Sequence, residues 1–383
     1  MPAVGHALLS ASSAHRWLAC PPSAQLCAQA PEGGTSEAAA EGTLAHSICE
    51  AKINAYLKGK KPRTPAKLTR HELYRKAMEE HTDGFVDYVI ELYDAAQRRS
   101  PDALLLTEQR LDFGAWVPDG FGTGDVIIIS DGVMDVVDFK YGKGVPVSAE
   151  NNPQLRLYGL GALAEFSSLY EIDMVRLHIF QPRLDSVTME TLHVEALLEW
   201  GNRILTTAQQ AAEGKGEFKA GEHCRFCRVA ATCRARAEKQ LELAKYEFAD
   251  APLLSNAEIG EILARVDELT AWAKSVKDYA AQQAIENGEH FDGWKLVAGR
   301  STRKISNEEL AVLALRESGY KTTDVMRIKG LTDLEELVGK KALASLLGDL
   351  IVKPEGKPTL VPETDKRPEW NSAKQDFNDD VTA

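Results

Sequence analysis

Apolar residues crowd into two β-branched runs, residues 125–130 and 133–139, on either side of Asp131-Gly132. The pattern predicts two paired strands joined by a two-residue turn suited to type I′. Counting outward from the turn, Ser130 faces Val133, Ile129 faces Met134, and Asp125 falls opposite Asp138. Lys140, two residues further on, points to the same face.

Around this hairpin the periodicity changes repeatedly. Residues 10–20 read as a short helix stopped by Pro21 and Pro22, followed by a loop from Pro31 to Ser36. Leu44, Ile48, Ile53 and Leu57 recur at helical spacing within a helix predicted over Glu37–Leu57. A basic loop (58–70) leads to a second long helix from about His71 to Arg98, then to strand signals at 103–107 and 108–111. Asn152-Pro153 opens a helix on which Gln154 and Tyr158, at i and i+4, share one face. Two more strands (175–181 and 187–194) and a helix from Glu195 to about Glu213 follow. This order of elements predicts a mixed α/β core.

Beyond Ala237 the chain turns mostly helical. Ser255 and Glu258 form a capping-box pattern ahead of an apolar stripe (Ile259, Ile262, Leu263, Val266, Leu269, Trp272, Val276, Tyr279) that reads as one packing helix ending at Gly288. A short hairpin is expected over 291–306, helices over 307–318 and 333–347, and an extended or disordered tail from 353. Three regions result: 1–237, 238–352 and 353–383.

With 383 residues, 44% hydrophobic and 27% charged, the composition is that of a globular protein with a sizeable core. The sequence contains neither a membrane-length apolar run nor a signal-peptide pattern, so a cytoplasmic protein without a membrane partner is expected. A net charge of −12 argues against a general nucleic-acid-coating protein but leaves room for a local basic groove. Arg225, Arg228, Arg234 and Arg236 form one basic group, and Arg300, Arg303 and Lys304 another; either can equally be a solvated face.

Two carboxylates on directly opposed strand positions repel, and a divalent cation with oxygen ligands would balance them. Lys140 beside them would orient a water toward phosphorus, as a metal-dependent phosphodiesterase requires. The hairpin alone equally permits acidic strand ends in water. The cysteines add a separate signal. Cys27 and Cys49 read as small apolar core residues. Cys224-x-x-Cys227 and Cys233 bring three thiols into one short segment, and Cys20 is the best fourth ligand. Such a set accepts an iron–sulfur cluster or a structural zinc, and it would close the chain around its α/β core.

In this order, Gly42-Thr-Leu-Ala-His46, Gly124-Asp125, Asp138-Phe-Lys140 and Gln154-x-x-x-Tyr158, with one cysteine before and three after, residues 10–237 resemble the PD-(D/E)XK nuclease superfamily. The likeness is to its RecB/AddB-like branch with a four-cysteine iron–sulfur staple, in the phage- or prophage-encoded form. Two departures stand out: no proline precedes Asp125, and Asp138 replaces the glutamate of many relatives.

The resemblance implies a restriction-endonuclease-like core carrying a 4Fe-4S cluster on Cys20, Cys224, Cys227 and Cys233, with zinc as the alternative. It implies Mg²⁺ or Mn²⁺ held by His46, Asp125 and Asp138, with the Phe139 carbonyl as a further ligand. Lys140 would position water, Gln154 and Tyr158 would support the site and meet DNA, and Glu108 is a further acidic candidate. The expected activity is a DNA nuclease, an exonuclease, serving phage recombination, replication or end processing in a bacterial host. DNA ends, and a phage recombination or replication protein, would be its partners. The competing readings are a catalytically silent, metal-stapled DNA- or partner-binding protein and a zinc-stabilised structural protein.

Overall fold

The computed structural model describes residues 7–31, 36–243, 254–295, 297, 307–319, 321, 326, 328–347 and 350–352. The expected tail over 353–383, the basic group Arg300, Arg303 and Lys304, and most of the loop from Pro31 to Ser36 lie outside the described residues. The helices are α1 (Ala14–Ala19), α2 (Ser23–Gln29), α3 (Glu37–Leu57), α4 (Ala66–Thr69), α5 (Ala77–Arg99), α6 (Pro153–Phe166) and α7 (Val194–Ala212). They continue with α8 (Arg234–Leu241), α9 (Asn256–Leu263), α10 (Val266–Glu286), α11 (Glu308–Glu317), α12 (Leu331–Val338) and α13 (Lys340–Leu347). None of the described helices is long and apolar enough to cross a membrane.

Five strands form one mixed sheet in sequence order: β1 (Leu104–Asp112), β2 (Phe121–Ser130), β3 (Gly132–Phe139), β4 (Ile172–Gln181) and β5 (Ser186–His193). Neighbours are antiparallel except β3 and β4, which run parallel and are connected through α6. β2 and β3 are apolar on both faces because both faces are covered. Ile127, Ile129, Met134, Val136, Val175 and Leu177 pack in one core with α6 and α7. Val126, Ile128, Val137 and Phe139 pack in the other with α3 and α5.

Local chemistry starts the helices that matter. Ser36 Oγ accepts the Ala39 amide at the head of α3. Asn152 Oδ1 accepts the Gln154 and Leu155 amides (3.0 and 3.3 Å), and Pro153 supplies a fixed φ at the first helical position. Gly161 lets α6 lie on β1 at backbone distance, since a Cβ there would come within 3.2 Å of the Asp112 carbonyl oxygen.

A charged network ties β3, β4 and α5 together. Asp135 is fully buried and accepts two hydrogen bonds from the Arg176 guanidinium (2.6 and 2.7 Å). It also meets His178 Nε2 at 2.9 Å, while His178 Nδ1 lies 2.7 Å from the Tyr88 hydroxyl. Burial would raise the Asp135 carboxyl, but His178 and Arg176 outweigh it and hold it below its ordinary value.

Several expectations need correction. The hairpin register runs from Ser130↔Val133 to Val126↔Val137 as counted, but the turn is not type I′: Gly132 has φ +78° and Asp131 does not have a positive φ. Tertiary bonds set it instead, because the Asp131 amide donates to Ser100 Oγ and the Gly132 amide to the Glu171 carbonyl. The second long helix begins at Ala77 rather than His71, where residues 71–76 turn and Arg75 bonds the Glu72 and Tyr74 carbonyls. The helix expected through 259–279 breaks at Ala264-Arg265, where Arg265 bonds the Lys239 carbonyl and pairs with Glu242. The capping box at Ser255 and Glu258 forms as expected. Of the hairpin expected over 291–306, residues 291–295 contain no strand and most of the rest lies outside the described residues. The helix expected over 333–347 is two, separated at Gly339 with φ +87°.

Candidate active site

The hairpin delivers Asp125 and Asp138 just beyond its last paired residues, Val126 and Val137, at one end of the sheet. Asp125 Oδ2 accepts the Phe139 amide at 2.7 Å, so its side chain caps β3. Asp125 Oδ1 meets His46 Nδ1 of α3 at 3.3 Å, and the His46 ring stands edge-on to Phe139 (centroids 5.3 Å apart).

Lys140 leaves the end of β3 toward α6. Its Nζ donates to Asp138 Oδ1 (3.2 Å) and to Gln154 Oε1 (3.0 Å). Gln154 Nε2 contacts both Asp138 Oδ1 (3.1 Å) and the Tyr158 hydroxyl (3.3 Å), so the shared face of α6 is turned onto the site. Asp138 is buried, and its Oδ2, 2.9 Å from Lys140 Nζ but off-axis, is a buried oxygen without a hydrogen-bond partner. Burial works to lower the Lys140 ammonium; Asp138 and Asp125 outweigh it and raise it above its ordinary value. Lys140 therefore carries a proton at neutral pH and acts as a donor.

Glu108 of β1 joins the group. One ligand atom each from His46, Glu108 and Asp125 lie within 4.8 Å of one another. Glu108 has φ +50°, a left-handed conformation inside a strand, and β1–β2 pairing skips the Glu108/Asp125 step. No glycine marks that position, so the sequence signals only an acidic residue near a strand. Burial and then the neighbouring Asp125 push the Glu108 carboxyl up to about 7, although its side chain still meets solvent. Burial works to lower His46, but Asp125, Asp138 and Glu108 raise it above its ordinary value.

These residues fit a hard divalent cation: carboxylate and imidazole donors converge, and Asp138 Oδ2 lacks a hydrogen bond. Protons on Glu108 and His46 must leave before either can ligate. Both values are raised, so the stability they lend the metal-free protein is lost as pH rises through them, and cation binding is favoured in the same direction. Mn²⁺ affinity is expected to strengthen from pH 5.5 to pH 8 with proton release. Titration calorimetry in buffers of different ionisation enthalpy checks this; a pH-independent affinity contradicts it.

The cysteine segments are also brought together. α1, which ends at Cys20, packs on the 222–226 turn that carries Cys224. Cys20 and Cys224 are buried, Cys227 and Cys233 half-buried, and all four are free thiols. The sequence reading of Cys27 as an ordinary core residue misses a contact: its Sγ lies 3.6 Å from Cys227 Sγ. The hydrogen bond between them draws the Cys27 thiol down and pushes the Cys227 thiol up. The Arg228 guanidinium holds the Cys27 carbonyl from the far segment. Among the described residues, no three cysteines approach one another as closely as His46, Glu108 and Asp125 do.

A family model described as "Protein of unknown function (DUF2800)" matches residues 6–368. Among solved structures, SSO0001 aligns at 14% identity over 58% of this chain and 96% of its own, with a TM-score of 0.24. A protein from Eubacterium rectale named "Putative exonuclease" aligns at 13% identity over 57% and 86%, with a TM-score of 0.33. Likenesses at this level decide neither fold nor activity.

Proposed function

The chain belongs to the DUF2800 family, and we propose that it is a Mg²⁺- or Mn²⁺-dependent DNA nuclease, an exonuclease acting in phage DNA recombination, replication or end processing. The observation that carries this reading is the Asp125–Asp138–Lys140 constellation, with Lys140 protonated and locked by Gln154. A cation held by His46, Asp125 and Asp138 would supply Lewis acidity to a phosphodiester. The chain's own groups do the rest. Lys140 donates a hydrogen bond that aims the attacking water and balances charge gathering on phosphate oxygens. Gln154 fixes both Asp138 and Lys140, and Tyr158 braces Gln154 from the α6 side.

Water attack has its own test. In ¹⁸O-enriched water each cut is expected to place one labelled oxygen in the new phosphomonoester, read by mass spectrometry. Unlabelled or cyclic phosphate ends would contradict hydrolysis.

Cys20, Cys224, Cys227 and Cys233 are proposed to hold an iron–sulfur cluster of 4Fe-4S type. The donor set of free thiols fits it. Thiolates around one zinc sit about 3.8 Å apart, from Zn–S bonds of about 2.3 Å. A 4Fe-4S cluster would instead interpose iron and sulfide between the same four thiolates. Cys20→Ser is expected to abolish the visible absorption of anaerobically purified protein, whereas Cys27→Ser keeps it. The opposite result would exchange their roles.

A further inference from the structure

Cys27 is a buried thiol on α2, 5% exposed, that the proposed chemistry does not use. Its Sγ lies 3.6 Å from that of Cys227, a residue 200 positions further along the chain. Cys227 is only half-buried, so small solutes reach it. Cys224, in the same short segment, turns its Sγ toward the Gly221 amide instead, 3.4 Å away.

The protein's own contacts hold the two thiols side by side. Arg16 donates to the Ser23 carbonyl (2.6 Å) and hydroxyl (3.1 Å), which fixes the head of α2 on α1. Gln25 Nε2 donates to the Ala212 carbonyl at 2.7 Å and anchors the middle of α2 to the end of α7. Arg228, next to Cys227, donates to the carbonyl of Cys27 itself at 3.3 Å. A disulfide needs its sulfurs about 2.0 Å apart. The remaining approach is within reach of side-chain rotation, since each Sγ turns about its own Cα–Cβ bond.

We propose that Cys27 and Cys227 form an oxidation site, joined as a disulfide by a hydroperoxide. The Cys227 sulfur attacks a peroxide oxygen; the O–O bond breaks, sulfur is oxidised to the sulfenic acid, and one water leaves. The Cys27 sulfur then attacks that sulfur; the S–S bond forms, the S–O bond breaks, and a second water carries off the oxygen with the Cys27 proton. Two thiols and one peroxide thus give one disulfide and two waters. The bond ties α2 to the segment beyond α7 and closes a loop across 200 positions, which restricts the unfolded chain. It also withdraws Cys227 from the four thiols proposed to hold a cluster until a reductant restores it. None of this depends on the nuclease reading.

The test treats the full chain, purified anaerobically, with hydrogen peroxide until any visible absorption is bleached. Free thiols are then alkylated in denaturant, and the unreduced digest is mapped by mass spectrometry. A peptide cross-linked between Cys27 and Cys227 is expected, lost on treatment with dithiothreitol and much weaker when the chain is unfolded in urea before oxidation. Cys27 recovered alkylated, Cys227 linked instead to Cys20, Cys224 or Cys233, or equal yield from the unfolded chain would overturn the proposal. Cys27→Ser is expected to lose the cross-link and, after peroxide, to unfold at lower urea than wild type treated alike. Equal midpoints would contradict the tie, and the wild-type map decides alone if the variant does not fold.

Discussion

Lys140→Ala is expected to slow DNA cleavage about a thousandfold while Mn²⁺ remains bound. The side chain contributes a positioned proton donor rather than a cation ligand, since its Nζ is held by Asp138 and Gln154 and its pKa is raised. Lys140→Arg is expected to recover little, because a planar guanidinium cannot occupy the same point between Asp138 Oδ1 and Gln154 Oε1. Single-turnover cleavage at saturating Mn²⁺ measures the effect. A loss below tenfold would show that water is oriented by another group.

The second large effect is on stability. Asp135→Ala removes the only carboxylate bonded to both the Arg176 guanidinium and His178 among the described residues, and is expected to cost about 3 kcal/mol. Arg176 retains some contact with water, which limits the penalty. Because the Asp135 carboxyl is held low, its contribution is present above the ordinary aspartate value and is lost as pH falls through the lowered one. Urea denaturation at pH 7 and at a pH below the ordinary aspartate value reads both effects. A change under 1 kcal/mol at pH 7 would mean that the pocket relaxes around the vacated space. Asp135 bonds Arg176 and His178 rather than the side chains around Asp125 and Asp138, so Mn²⁺ affinity of the folded variant is expected to stay near that of the wild type.

The part of this site legible in the sequence is the part fixed by short-range periodicity. Apolar runs flanking Asp131-Gly132 set the register as far as Val126↔Val137, which leaves Asp125 and Asp138 next in line and Lys140 within reach of Asp138. The i, i+4 spacing likewise brings Gln154 and Tyr158 together. What the sequence hides depends on partners far along the chain. The turn owes its form to Ser100 and Glu171, and the break at Arg265 to Lys239 and Glu242. Glu108 reads as a regular strand residue because no glycine marks its left-handed backbone, yet that backbone turns it toward His46. Cys27 resembles any buried helical thiol until Cys227 is placed beside it.

The most direct measurement is cleavage of end-labelled linear single- and double-stranded DNA by anaerobically purified protein, with Mg²⁺ or Mn²⁺ and, in parallel, with a chelator. Shortening that requires the cation is the expected result, and the order in which label is released gives the polarity. Cluster-loaded protein that binds DNA and leaves it uncut with either cation would contradict the nuclease and leave a stapled DNA-binding protein in its place.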